Sequence, residues 1–366
     1  MGIKDYLKHL VQDDPNVKPR EYSNLYIDCN FMIHYLIYKC KNDFELYTRT
    51  FDYFEYVFKT IKVSLTVILV FDGEYDKTFI TNPKLQTHVL RAKYKKESDD
   101  YDKQSIYPKS EIISTFKTYL GDIINKYKLL FKMNFDIRTL DDGIEGEADF
   151  KILKDIDDSE QKNICILSKD SDMVLIAYSL IIKKNLSIDI MINLRPIRFI
   201  NVNKIVKLSK PIFNGKKYIE SYGPDYVLLT MFLGNDYLPK ISNVSYETIL
   251  SCYNLYLTHG NNPIISKNKI RKKNLINFIT YIALNKKVKY NKKNIDLDRF
   301  KIYFNNLSWS LKHYHILNNT REYIQDLNGL KEDNVNDNEK EKEKETEQKV
   351  RIRNVVNIYN FINGLV

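Results

Sequence analysis

Cysteine is scarce in this 366-residue sequence, and its four copies follow no disulfide or metal-binding pattern. They are Cys29, Cys40, Cys165 and Cys252. No two of them stand in C-x-x-C spacing. The sequence therefore excludes both the disulfide framework of a small secreted domain and a cysteine zinc site.

The sequence also has no long apolar run. It begins MGIKDYLKHL, without the apolar region of a secretory signal, and no stretch reaches the length needed to span a membrane. A myristoylation signal needs Ser or Thr at position 6 after Gly2, and Tyr6 stands there instead. We therefore expect a soluble intracellular protein, cytoplasmic or nuclear, that is monomeric and has no membrane partner.

Acidic residues are fewer than basic ones, 47 against 57, so the formal net charge is +10. The segment 331–349 carries eight acidic and five basic residues, which leaves the rest of the chain with 52 basic and 39 acidic residues, or +13. This excess suits a polyanionic partner such as a nucleic acid. A lysine-rich composition with solvated faces would give the same count.

Three segments share one pattern, a short apolar run that ends in aspartate. They are NLYIDCN at 24–30, SLTVILVFDG at 64–73 and NICILSKDSD at 163–172. Such runs are typical of parallel strands buried on both faces, and helical patterns at 44–62, 110–128 and 148–154 alternate with them. The alternation predicts an α/β domain with a central, mostly parallel sheet flanked by helices. Ligands of such folds gather at the carboxyl ends of the strands, where these aspartates fall.

The pattern changes after this α/β region, which we place at 1–245. Helical periodicity predicts a helical extension over 246–330. Residues 331–349 are charged, low in complexity and free of aromatics, which predicts a disordered linker. A short apolar element, 350–366, closes the sequence.

Seven carboxylates lie at strand ends or in short acidic motifs. They are Asp28, Asp72, Glu145, Glu147, Asp170, Asp172 and Asp236. Brought together, they would repel one another strongly unless divalent cations neutralised them. Mg²⁺ is the expected ion because it takes oxygen ligands and needs few protein carboxylates. Two such ions roughly 4 Å apart can activate a water and stabilise the leaving oxygen of a phosphodiester.

Each of these acids, taken alone, has an ordinary structural explanation. An aspartate after a strand commonly caps the next helix, and Glu145 or Asp149 would suit the first turn of a helix. The recurrence of acids at successive strand ends favours a metal site. The E-G-E and D-S-D spacings let two carboxylates reach one site, and Gly146 allows a close approach.

The stretch PKLQTHVLRAKYKK, at 83–96, is a basic helical pattern. Lys84, His88, Arg91 and Lys95 share one face at i, i+4, i+7 and i+11. Beside an acidic metal site, such a face suits the phosphates of a nucleic-acid strand. A solvated lysine-rich helix would show the same pattern.

Five motifs then follow one another along the chain: NLYIDCNFMIH, FDG, EGEADFKIL, SKDSDMVLIA and DYVLLTMFLGNDYLP. In this order they resemble the catalytic region of the Xrn-type 5′-to-3′ exoribonucleases, within the flap-nuclease superfamily. The likeness is good to about residue 240 and thinner to about residue 315. It implies a PIN/flap-nuclease-like core at 1–245, in which the seven carboxylates bind two Mg²⁺ or Mn²⁺ ions.

The resemblance also implies a pocket for the 5′-monophosphate of the substrate. The family pattern after FDG is K-x-x-x-Q-x-x-R-R, and Lys84 and Arg91 keep its spacing. His88 stands in place of the glutamine and Ala92 in place of the second arginine. These two differences bear on how strictly the pocket would select a 5′-monophosphate.

Further positions carry over from the family in part. His34 matches a histidine that stacks on a terminal base, with a core histidine as the alternative, and Asn30 is assigned to the same substrate side. Lys4 stands where the family usually has proline, EGEA replaces EGEH, and DSD replaces DAD. Trp309, in YFNNLSWSLKHY, is expected to lie in the core or to face the bound nucleic-acid strand.

Three functions stay open from the sequence. The first is a metal-dependent exoribonuclease of RNA decay that hydrolyses single-stranded RNA from a 5′-monophosphate end to mononucleotides. The second is a flap endonuclease or 5′-to-3′ exonuclease acting on DNA, although GNDYLPKISNVSYETIL lacks the glycine-rich helix-hairpin-helix usual in such enzymes. The third is a catalytically inactive RNA-binding scaffold, which the loss of an acid would mark.

The first of these functions is favoured, because the missing glycines disfavour the DNA nuclease and the presence of all seven acids disfavours the inactive scaffold. We expect a minimal catalytic core without the large carboxy-terminal modules of cytoplasmic family members, of the kind a compact viral genome would encode.

Overall fold

The computed structural model describes residues 6, 10, 20–37, 40–73, 106, 108–141, 143–144, 146–194, 197–212, 219–235, 238, 245–259, 261–284, 306–308, 310–314 and 316. The chain divides into two compact units, Met1–Val206 and Lys207–Val366. Within the described ranges, no helix combines the length and the apolar character needed to cross a membrane. The predicted domain limits at residues 245, 330 and 349 stay predictions, and the segments 331–349 and 350–366 lie outside the described residues.

The first unit alternates strands and helices along the chain. The elements are β1 (Arg20–Asp28), α1 (Cys29–Leu36), α2 (Asp43–Thr60), β2 (Ile61–Val70), α3 (Glu111–Leu130), β3 (Asp136–Leu140), α4 (Ala148–Asp158), β4 (Asn163–Leu167), α5 (Ser171–Ile181), β5 (Ser187–Leu194), β6 (Ile197–Asn201) and α6 (Val202–Ile212), which continues past Val206 into the second unit. The strands form one sheet in the order β3-β2-β1-β4-β5-β6. The pairs β3-β2, β2-β1, β1-β4 and β4-β5 are parallel, and β6 is antiparallel to β5. The predicted α/β class is confirmed.

The strand order places a switch point between β1 and β4. The chain builds β2 and β3 on one side of β1 and then returns to build β4 and β5 on the other side. A crevice therefore opens between β1 and β4 at their carboxyl ends, which is where open α/β sheets bind ligands.

Both faces of the sheet are covered, which explains the continuous apolar strands. Leu25 and Ile27 of β1 belong to a buried cluster with Phe54 of α2 and Phe116 of α3. Tyr26 points to the opposite face, where its hydroxyl donates to Asp155 Oδ2 of α4 at 2.8 Å. Burying each large apolar side chain contributes about 1.5–3 kcal/mol, so both faces resist exposure to water.

Two of the helices that pack against the sheet begin at residues that cap them. Asn42 accepts the backbone N–H of Glu45 at 2.9 Å to start α2, and Ser110 does the same for Ile113 at 3.4 Å to start α3. A polar side chain at this position satisfies one of the backbone donors that the first helical turn leaves over. These local choices fix where each helix begins against the sheet.

The second unit is mainly helical in its described part. It contains α7 (Ile219–Met231), α8 (Tyr246–Thr258), a short hairpin of β7 (Ile265–Ser266) and β8 (Lys269–Ile270), and α9 (Lys272–Leu284). Its core includes aromatic contacts of Phe278 with Phe232, Tyr253 and Tyr256, at centroid distances of 6.5, 5.3 and 5.5 Å. The helices α8 and α9 agree with the helical pattern seen after residue 246, whereas the sequence analysis did not identify the hairpin.

Candidate active site at the carboxyl edge of the sheet

Three predicted site residues follow three neighbouring parallel strands. Asp28 is the last residue of β1, Asp72 lies two residues after β2, and Asp170 lies three residues after β4. Parallel strands end at one edge of the sheet, so these carboxylates share the edge at the switch point. This is the arrangement that the apolar runs ending in aspartate predicted.

Asp28 lies at the centre of this group. Its Oδ1 accepts the backbone N–H of Phe31 at 3.0 Å, which caps α1, and its Oδ2 accepts the hydroxyl of Ser168 at 3.0 Å. Burial and the neighbouring charge of Asp72 raise its pKa to about 7, and Asp170 adds to the rise, although both hydrogen bonds lower it. Keeping this carboxylate charged therefore costs free energy, which a helix-capping role alone does not require.

Ser168 connects the carboxylates on either side of the switch point. Its hydroxyl donates to Asp28 Oδ2 and accepts the backbone N–H of Asp170 at 3.2 Å, and the side chain is fully buried. The sequence analysis missed this residue. Its position two residues before Asp170, within SKDSD, was the available signal, but a serine there has no obvious role until β1 is known to lie beside β4.

Asp72 holds a helix that begins far along the chain. Its Oδ1 accepts the backbone N–H of Ala148, the first residue of α4, at 2.8 Å. Its own backbone N–H donates to Asn30 Oδ1 at 2.9 Å. The predicted substrate-side residue Asn30 therefore positions Asp72 from α1.

Glu147 and Asp172 are the buried members of the acidic motifs, each with 3% of its surface exposed. Glu147 directly precedes α4, next to the backbone N–H that Asp72 binds. Asp172 lies in the first turn of α5, and its backbone N–H donates to Asp170 Oδ1 at 3.0 Å, so Asp170 caps that helix. Asp149, which was left out of the predicted ligands, is a first-turn residue of α4.

A close backbone approach joins the FDG motif to the EGE motif. The N–H of Gly73 donates to the carbonyl of Gly146 at 2.8 Å, and Gly146 has φ +100°, which favours glycine. A Cβ on Gly73 would lie 1.7 Å from the carbonyl oxygen of Ile144. Only glycine fits at this contact.

A buried lysine fixes the same pair of segments, and the sequence analysis did not identify it. Lys151 of α4 is 7% exposed, and its ammonium donates to the carbonyls of Phe71 and Asp141, both at 2.8 Å. Phe71 directly precedes Asp72, and Asp141 directly follows β3. Lys151 therefore ties α4 to the ends of two strands at the acidic edge.

Three helices begin at this edge. The N-termini of α1, α4 and α5 follow or contact Asp28, Asp72 and Asp170, respectively. A helix N-terminus carries a partial charge of roughly +0.5, which stabilises nearby anions. The fold thus offsets part of the repulsion among the carboxylates and also favours a bound phosphate.

The remaining predicted residues are not brought into this group by the described geometry. His34 lies partly exposed in the last turn of α1, about 9 Å along the helix axis from Asp28 at 1.5 Å per residue. Six others lie outside the described residues: Lys84, His88, Arg91, Glu145, Asp236 and Trp309. Their predicted roles stay predictions.

The carboxylates at this edge fit a hard divalent cation by their chemistry. They offer only oxygen ligands, and Asp28 is destabilised as an anion by burial and by its acidic neighbours, a cost that a cation would offset. In the described ranges, no three His, Cys, Asp or Glu side chains form a ready cluster around one point. Glu145 and Asp236, the other two predicted ligands, lie outside those ranges.

No protein-family model and no curated protein matches the sequence. Among solved structures, the chain is similar to three structures of "the catalytic core of Rad2 in complex with DNA substrate". These are complexes II, IV and III, with TM-scores of 0.38, 0.39 and 0.38. The identities are 13%, 14% and 16%, over 86% of this chain and 98% of those chains. Because these TM-scores lie below 0.5, the likeness assigns neither a family nor a function to the chain.

Proposed function

We propose that this protein is a metal-dependent nuclease that hydrolyses single-stranded RNA from a 5′-monophosphate end, in the 5′-to-3′ direction, to mononucleotides. The observation that carries the proposal is the convergence of Asp28, Asp72 and Asp170 at the switch point of a parallel sheet. Helix capping explains each carboxylate singly. It does not explain why the three carboxylates lie together, where burial and the charges of Asp72 and Asp170 raise the pKa of Asp28.

The predicted ligands of two Mg²⁺ or Mn²⁺ ions are the seven carboxylates, five of which lie in the described ranges. When bound, the ions would supply an activated water and neutralise charge on the scissile phosphate. The chain itself would orient the carboxylates. Ser168 holds Asp28 and the backbone of Asp170, Asn30 holds the backbone of Asp72, and Lys151 holds the segment before Asp72.

The choice of RNA and of a 5′-monophosphate rests on the sequence resemblance. Lys84 and Arg91 would bind the terminal phosphate, with His88 in the same pocket, and His34 would stack on the terminal base. A basic net charge of +10 agrees with a polyanionic substrate. The DNA-directed nuclease and the inactive RNA-binding protein are alternative outcomes of the same experiment.

The test is cleavage of matched RNA and DNA strands by the full chain with Mg²⁺. Each strand carries a 5′-monophosphate, a 5′-hydroxyl or a 5′-triphosphate, and a DNA flap is included. Release of mononucleotides from 5′-monophosphate RNA alone is the expected result. Preferential cutting of DNA strands or flaps would favour the DNA nuclease, and binding without cleavage would contradict the hydrolase proposal.

Two double variants make the test specific. Asp170→Asn with Asp172→Asn removes two charges at the acidic edge and is expected to reduce the rate by at least about a thousandfold, the scale of lost electrostatic stabilisation in other enzymes. Asp136→Asn with Asp158→Asn removes two exposed carboxylates at the opposite edge of the sheet. Equal loss of activity in both variants would exclude a specific role for the acidic edge.

A further inference from the structure

A long segment of the second unit contains no acidic residue. Between Glu247 and Asp296, residues 248–295 include ten Lys and Arg and neither Asp nor Glu. Five of these ten cations fall within seven residues, at Lys267, Lys269, Arg271, Lys272 and Lys273. The positive charge therefore falls in two groups: one lies at the β7-β8 hairpin and the start of α9, and the other, at 286–293, lies outside the described residues.

The turn of the hairpin lies at the protein surface. Its two turn residues, Lys267 and Asn268, have φ of +50° and +55°, the pattern of a type I′ turn. Ser266 pairs with Lys269, while Ile265, which pairs with Ile270, is buried on the other side. Lys267, Lys269, Arg271 and Lys273 are exposed, and none forms a salt bridge with any residue in the described ranges.

A buried carboxylate fixes the root of the hairpin. Asp225 of α7 is fully buried and accepts the backbone N–H groups of Ile264 and Ile265 at 2.7 and 2.6 Å, together with the hydroxyl of Tyr253. The backbone N–H of Arg271 donates to the carbonyl of Ile264 at 2.7 Å, which closes the base of the hairpin. The cations thus stand on a rigid support, so little ordering of the backbone would be needed to bind a ligand.

A surface pocket of about 430 Å³ lies against the hairpin. It is lined by Asn262, Pro263, Ser266, Arg271, Lys273 and Asn274. Two cations, two amides and a hydroxyl make this lining rich in hydrogen-bond donors, and it contains no acceptor-only carboxylate. Asn274 donates to the carbonyl of Pro263 at 2.6 Å, which fixes one wall of the pocket. Such a lining suits phosphate oxygens.

We propose that the basic hairpin, defined as Ser266–Lys269 with Arg271 and Lys273, binds the phosphate backbone of a nucleic-acid strand outside the acidic edge. The preference for a nucleic acid over another polyanion rests on the proposed nuclease function. A lipid surface fits less well, because Ile265 is buried and the exposed part of the hairpin offers no large apolar side chain for insertion.

The experiment measures binding without hydrolysis. Fluorescence anisotropy with labelled RNA and DNA strands in EDTA compares the wild type with the quadruple variant Lys267→Gln, Lys269→Gln, Arg271→Gln and Lys273→Gln. We expect at least about tenfold weaker binding near 100 mM salt, and a salt dependence whose log–log slope is smaller by about 3, at about 0.7 per lost phosphate contact. Circular dichroism checks that the variant is folded.

The control has the same change in charge elsewhere. Lys59→Gln, Lys62→Gln, Lys132→Gln and Lys162→Gln remove four exposed cations near the amino ends of β2, β3 and β4, and less than about a twofold effect is expected because such dispersed charges act only through the screened long-range field. Equal weakening in both variants would overturn the proposal. Displacement by polyglutamate as effective as by unlabelled RNA would also overturn it.

The two proposals can fail separately. Hairpin-dependent binding by a wild-type protein that cleaves nothing would contradict the nuclease function and leave the hairpin site standing. Cleavage by the wild type, together with binding that does not change in the hairpin variant, would support the nuclease function and contradict the hairpin site.

Discussion

Asp72 Oδ1 accepts the backbone N–H of Ala148 at 2.8 Å, although 76 residues separate the two. The aspartate that ends the second strand segment therefore holds the first residue of the helix that follows the E-G-E motif. This bond places Glu147 beside Asp72, so two motifs that the sequence shows far apart form one structure.

Gly73→Ala is expected to destabilise the protein and reduce cleavage. The added Cβ would lie 1.7 Å from the Ile144 carbonyl oxygen, so the 143–147 segment would have to move. Overpacking of this kind costs about 1–3 kcal/mol. Gly121→Ala is the matched control, since it has open space on α3, where alanine is favoured by up to about 1 kcal/mol. Urea unfolding of both variants measures the difference, and equal stability would contradict the close approach.

Lys151→Met is expected to lower the free energy of unfolding by about 1–3 kcal/mol for each carbonyl left buried without a donor. The carbonyls concerned are those of Phe71 and Asp141. The exposed Lys154, one turn later on the same helix, gives the control Lys154→Met. If the two substitutions have the same effect on urea unfolding, Lys151 does not support the acidic edge.

Divalent cations are expected to stabilise the wild type, by about 2.7 kcal/mol at a hundred times the dissociation constant. Asp28→Asn should reduce this gain. In EDTA at pH 8, the Asp28→Asn variant should unfold at a higher temperature than the wild type. In the wild type at this pH, the buried Asp28 is charged beside Asp72 and Asp170. Asp136→Asn, an exposed change, should keep the full response. Thermal unfolding with and without Mn²⁺ measures both effects, and an unchanged response in Asp28→Asn would contradict the assignment.

Asp225 should make stability fall as pH rises. Burial raises its pKa to about 7, against three hydrogen bonds that lower it. Since the folded pKa exceeds the unfolded value of about 3.9, its contribution is complete below about pH 4 and is lost as pH rises through about 7. The whole change is on the order of 4 kcal/mol, at about 1.36 kcal/mol per pKa unit.

Urea unfolding at pH 5 and pH 8 tests this direction in the wild type and in Asp225→Asn. The free energy of unfolding of the wild type minus that of Asp225→Asn should be larger at pH 5 than at pH 8. Asp158→Asn, an exposed substitution, should show the pH dependence of the wild type. A difference that grows from pH 5 to pH 8 would reverse the assigned shift.

The sequence predicted three of the strands that are buried on both faces but missed β5, whose apolar run is interrupted by Asp189, a buried carboxylate bound by Arg20 and Tyr22. The runs LYI at the end of β1, VILV at the end of β2 and ICIL of β4 are continuous and apolar, so they could be recognised locally. The edge strand β3, Asp136–Leu140, is polar and mostly exposed, and it gives no such run. The turn of the basic hairpin uses Lys267 and Asn268 rather than the Asn-Gly pair that usually marks a two-residue loop.

The residues of the candidate site also divide into those that the sequence predicted and those that it did not. Aspartates directly after strands could be placed at the sheet edge from the chain alone. Ser168 and Lys151 could not, because their partners depend on which strands are neighbours. The bond from Ser168 to Asp28 spans 140 residues, and the bond from Lys151 to the carbonyl of Phe71 spans 80.

The capping bonds of Asp28 and Asp170 have a consequence for how this chain can change. An asparagine at either position caps a helix about as well as an aspartate, so it would remove the charge and keep the fold. Under the proposed nuclease function, replacement of one carboxylate oxygen by an amide nitrogen would abolish hydrolysis and keep nucleic-acid binding. An alanine at the same position would remove the cap as well, and its effect would combine lost chemistry with a loosened helix.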